Sequence, residues 1–152
     1  MSKDARRVFG KQRISMTMRP IAYWITTALT AFVFLSGGGG DVARPSFALQ
    51  GMTHLGYPSY FMVILGVWKV LGGIVVLLPR LPRLKEWAYA GMLFDLSGAS
   101  ASHASVGDPA AKIATPLIIL CIVITSWALR PESRWLREPG PKPDPGPSTS
   151  AA

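Results

Sequence analysis

Three side chains inside the apolar blocks of this sequence carry charge or can acquire it: Lys69, Asp95 and His103. A charge surrounded by hydrocarbon is costly, and it persists where it meets a partner or lines a polar path. Lys69 lies nine residues before Leu78, the end of the second apolar block; on a helix that is roughly 13 Å. Asp95 lies eight residues after Trp87, where the third block begins, or roughly 12 Å in. A short turn joins the two blocks, so they run antiparallel and the opposite charges reach matched depth. The spacing predicts a Lys69–Asp95 ion pair. Gly66, Lys69 and Gly73 recur at steps of three and four, as do Ala88, Gly91, Asp95, Gly98 and Ser102. Each charge therefore shares a helix face with small residues (Gly66, Gly73, Gly91, Gly98), which let membrane helices approach closely. Such a pair either fixes helix register or lines a polar cavity or proton path. His103, eight residues past Asp95 among Ser100, Ser102 and Ser105, is placed to titrate at the outer mouth of such a cavity.

Other chemistry finds less footing. Cys121 is the one cysteine, which excludes an internal disulfide and paired-thiol exchange; inside an apolar block it reads as a small packed core residue. Gly37–Gly40 lacks the Gly-Lys-Ser/Thr ending of a phosphate loop, and reads as a helix breaker and flexible connector. A single histidine is no metal site. His54, His103 and Asp108 would need to converge near the outer face to hold one, and no metal is assigned. Glu86 reads as the start of the third helix, where its charge suits the N-terminal dipole. No set of catalytic residues stands out.

The elements that position these groups follow from distribution rather than bulk composition. Hydrophobic residues make up 49% and charged residues 16% of the 152, against about 25% charged in an ordinary soluble domain. The apolar residues fall in four blocks: Ile21 to about Ser36, Tyr57 to Leu78, Trp87 to Val106 and Ile113 to Leu129. The expected fold is an all-α membrane bundle of four spans, with a short interfacial helix within 41–56, between the first two. Domain boundaries follow: a basic arm over 1–19, the membrane domain over 20–130, and a Pro-rich tail over 131–152, read as disordered from about residue 138. Arg6-Arg7 with Phe9 and Lys11 resembles a twin-arginine export signal; three further blocks and the lack of a nearby small-residue cleavage site argue against export.

The net charge of +8 is concentrated at block ends. Six basic residues lie in the arm, three in the turn after the second block and four in the tail, against Arg44 and Lys112 in the opposite loops. That asymmetry predicts both termini in the cytoplasm, as an even number of spans requires. No nucleic-acid reading motif accompanies the charge, so nucleic acid is not an expected partner; the lipid bilayer is.

The runs Gly56-Tyr57-Pro58, Lys69 with Leu71-Gly72-Gly73, Pro79-Arg80, Lys85-Glu86-Trp87-Ala88 and Asp95 through Ser102-His103 resemble the DoxX-like family of small four-helix bacterial membrane proteins. The resemblance covers about residues 20–130. It implies residence in the bacterial inner membrane and an accessory or assembly role beside a quinone-dependent redox system, with a membrane-protein partner or a second copy. It supplies no catalytic residue list, so it leans away from an enzyme. No cofactor is assigned; a quinone is the one candidate. The alternatives are a small-molecule or proton transporter using Lys69, Asp95 and His103, and a membrane-embedded oxidoreductase acting on a quinone or lipid-like substrate.

Overall fold

The computed structural model describes residues 3–131, and its regular elements are five helices: α1 (Lys3–Ala43), α2 (Ser46–His54), α3 (Ser59–Leu77), α4 (Pro82–Ser105) and α5 (Ala110–Ala128). Proline marks every boundary after the first. Pro45, Pro58 and Pro109 stand immediately before α2, α3 and α5, and Pro82 opens α4. A proline lacks the N–H that a first helical turn leaves unpaired anyway, and it pushes its predecessor out of the helical region. Arg44, before Pro45, leaves the helical region for a left-handed φ of +55°, and α1 stops at Ala43. The Pro-rich tail, from residue 132, lies outside the described residues.

The glycine run does not break the first helix, contrary to the sequence reading. α1 continues through Gly37–Gly40 to Ala43. Gly38 is buried against α3: a Cβ there would sit 2.7 Å from the Gly66 carbonyl oxygen, and one on Gly66 would sit 2.8 Å from that of Gly38. The two backbones touch, and that packing outweighs a helix-propensity cost of about 1 kcal/mol per glycine. Lower down, Gly73 receives Leu35. Gly91 and Gly98, by contrast, have nothing within 4 Å of an added Cβ and pack no helix. Their spacing marked a face of α4 on which Ala88, Asp95 and Ser102 do make contacts, but the two glycines seat no neighbour.

Tyr89, Met92 and Leu96 of α4 meet Ala31 and Phe34 of α1, Val76 of α3 and Val123 of α5 in the core. Cys121 is exposed on the outside of α5 rather than packed in this core: Val123 and Ser126 take the buried face. Three helices are long and apolar enough to cross a membrane: Met18–Ala43, Ser59–Leu77 and Ala110–Ala128. The 24 residues of α4 would reach roughly 36 Å, but their composition is less apolar. α4 also begins five residues before Trp87. Glu86 therefore lies beyond its first turn, which holds no acid, and the dipole role expected for it falls away.

Candidate functional site

Lys69 is the hub of three charges, two of which were expected. Its Nζ lies 3.8 Å from Asp95 Oδ2 and 2.9 Å from Asp41 Oδ2. The shorter contact is a charge-assisted hydrogen bond; the longer is an ion pair without one, and Asp95 accepts no hydrogen bond from the described residues. Asp41 escaped the sequence reading because the glycine run before it was taken as a connector. Once α1 continues through that run, Asp41 falls one turn beyond Gly38 and beside Gly66, so the close glycine contact sets the carboxylate onto Lys69. Lys69 stands ten residues from Ser59 and eight from Leu77, and Asp95 ten from Ser105 and thirteen from Pro82. Lys69 and Asp95 therefore occupy the middle of their helices, and Asp41 reaches Lys69 from two residues before the end of α1.

Between α3 and α4, Lys69 and Asp95 open into a cavity of about 750 Å³. Among the described residues they are its only charged lining; Trp68, Trp87, Phe94 and Met92 supply much of the apolar wall, and the exposed Gly91 leaves it unfilled. The volume falls within the range of roughly 300–1,000 Å³ usual for small-molecule sites, and so does the composition, an apolar pocket with a few polar groups.

His103 does not join that trio. Its Nδ1 is 2.7 Å from Asp108 Oδ2, His54 Nε2 is 3.1 Å from each oxygen of the same carboxylate, and Lys112 Nζ is 3.0 Å from Oδ1. Asp108 thereby ties α2 and α4 to the start of α5. The hydrogen bonds from His103 and Lys112 hold its carboxyl well below the usual carboxylate range. Both histidines meet Asp108 directly, and among the described residues no cluster of His, Cys, Asp and Glu has the arrangement to hold a metal. Beside this cluster Tyr57 and Ser102 share a 2.8 Å hydrogen bond.

At the opposite end of the bundle, Arg130 Nη2 donates to Glu86 Oε1 at 2.6 Å and Trp127 Nε1 donates to Glu86 Oε2 at 2.9 Å. The guanidinium also lies over the rings of Tyr89 and Trp127. Lys85 is buried, and its ammonium donates to the carbonyls of Val75 and Val76 at the C-terminal turn of α3. Between these groups and the trio, the Ser126 hydroxyl links Thr27 at 2.7 Å and Tyr89 at 2.9 Å inside the core. None of these last contacts was read from the sequence. Lone hydroxyls in apolar blocks carry no pairing signal, and Lys85 counted only toward the charge asymmetry and the family resemblance.

These features fit a helical, multi-pass membrane protein with paired charges between its helices. The chain belongs to the DoxX-like family, whose model matches residues 25–126. No curated protein and no solved structure matches the chain.

Proposed function

We propose that this DoxX-like membrane protein crosses the bacterial inner membrane four times, with both termini cytoplasmic, and binds a quinone or similar amphiphile in the α3–α4 cavity. The observation that carries this reading is the pairing of a roomy apolar cavity of about 750 Å³ with Lys69 and Asp95 as its only charged lining among the described residues. A head group bearing oxygen finds a cation and an acid there, and an apolar tail finds Trp68, Trp87 and Phe94. A closed, solvent-free ion pair would have favoured a purely structural role; this pair faces open space instead.

The chain has a single cysteine and no paired thiols to exchange electrons, so electron transfer falls to a bound quinone or to a partner. The role is that of an accessory subunit that holds or presents the quinone to a redox assembly, acting without a reaction of its own. Transport along Lys69, Asp95 and His103 receives less support, because His103 is committed to Asp108 and not to the trio.

Purification in a mild detergent, followed by mass spectrometry of extracted lipids and quinones, tests the reading. About one isoprenoid quinone per chain is expected in the native protein, with most of it lost in Lys69→Met. Recovery of bulk phospholipids alone, in the proportions of the surrounding membrane, would overturn it.

A further inference from the structure

Two carboxylates and one ammonium meet where the end of α1 packs against the middle of α3 and α4, which leaves one negative charge unbalanced. Asp41 takes the hydrogen bond to Lys69 at 2.9 Å, and Asp95 stands off at 3.8 Å. Among the described residues no other cation pairs with either carboxylate. α5 has one charged residue, Lys112, and it is bound to Asp108 at the far end. His103, on the same helix as Asp95, is two turns away and held by Asp108 as well. From α3 and α1, only Lys69 and Asp41 face the group. Two like charges around a single counter-ion, in surroundings of low dielectric, do not both stay ionised.

We propose that Asp95 carries the proton that makes the trio neutral, and that its hydroxyl donates a hydrogen bond to a carbonyl-type oxygen on the molecule occupying the cavity. Asp95 is the group that keeps the proton because Asp41 already has the ammonium. It also lines the cavity, whereas Asp41 does not. A neutral carboxylic acid beside a satisfied ion pair selects an uncharged ligand with an acceptor. A cationic ligand would need Asp95 ionised, and an anionic one would find the only lining cation among the described residues, Lys69, already neutralised by Asp41. The ligand half of this proposal rests on the cavity-binding reading above; the proton half does not.

Infrared spectroscopy of the purified full chain tests the proton at neutral pH. A protonated-carboxyl C=O band is expected in the native protein. Asp95→Glu should move that band, Asp41→Glu should leave it in place, and Lys69→Met should add a second one. Absence of the band, or its movement by Asp41→Glu, would overturn the assignment. Both glutamate variants keep the charge pattern, and circular dichroism checks that they fold.

The ligand half is read with a decyl-substituted benzoquinone, by quenching of the tryptophan fluorescence that Trp68→Phe with Trp87→Phe removes. Asp95→Asn, whose amide still donates, should bind within about threefold of the native protein, and Asp95→Leu should bind roughly tenfold more weakly. Equal binding by Asp95→Leu overturns the hydrogen bond to the ligand. No quenching in the native protein overturns cavity binding as a whole, and the infrared result stands or falls independently.

Discussion

At the scale of single residues, the charged groups of this protein divide into those that hold the fold and those that face open space. Asp108 belongs with the first. It receives His54, His103 and Lys112 at once, and its folded-state pKa is depressed by those hydrogen bonds. A depressed carboxylate stabilises the fold above its unfolded value and loses that contribution as pH falls through the folded one. The ties made by this carboxyl should therefore persist through mildly acidic pH and fail only below the ordinary carboxylate range. Asp108→Asn should remove them at every pH. Hydrogen exchange across residues 46–57 should then speed up markedly while the α3 and α5 amides keep their protection; unchanged exchange in α2 would show that other contacts hold it. Lys85 is the second case. Its buried ammonium satisfies two carbonyls that the end of α3 leaves unpaired. Lys85→Met keeps the stem and removes the donor, which should cost about 1–3 kcal/mol. A fall in thermal midpoint measured in detergent checks it, and a neutral result would mean that water replaces the ammonium.

At the scale of elements, sequence periodicity revealed which residues share a face but not what the face meets. Gly66 and Gly73 were legible as a packing stripe on α3, and they do pack, though against α1. The same spacing on α4 sets Gly91 at the cavity and leaves Gly98 exposed with nothing against it, so Gly91 and Gly98 were misassigned. The run Gly37–Gly40 was misread for a related reason: helix propensity in water treats it as a break, whereas a bilayer gives the backbone no other partners for its hydrogen bonds. Asp41 was lost with it. Gly37, Gly38, Gly39 and Gly66 make an internal control. Gly38→Ala would drive a Cβ into the Gly66 carbonyl, and Gly66→Ala into that of Gly38. Backbone cannot swing aside as a side chain does, so α1 and α3 must separate and the Lys69–Asp41 contact must lengthen. Gly37→Ala and Gly39→Ala meet nothing within 4 Å, and each should leave stability unchanged or raise it by up to about 1 kcal/mol. Thermal melts of the four variants should split into two destabilised and two tolerated; a uniform loss would mean that the run is needed for flexibility, not for packing.

At the scale of the whole molecule, the open question is α4, and its charges decide it. Summed hydropathy favours α1, α3 and α5 as spans and passes over α4, because a window average charges each ionisable side chain its full solvation cost. In the folded chain those costs are largely met. Lys85 lies on α3 carbonyls, Glu86 holds Arg130, and Asp95 sits beside Lys69. Paired charges turned into a bundle cost far less than the same charges facing lipid. Four crossings also fit the basic residues, which gather at the termini and the α3–α4 turn and leave Arg44 and Lys112 for the other side. Three crossings would place the two termini on opposite sides and break that asymmetry. Replacing Cys121 with Ser provides a background without thiols, on which Arg83→Cys and Ser105→Cys mark the two ends of α4. In intact cells a membrane-impermeant maleimide should label the thiol at position 105, and should reach position 83 only after permeabilisation. If both positions label from one side, α4 does not cross, and the cavity between α3 and α4 would have to open to water rather than to the hydrocarbon from which its ligand is expected to enter.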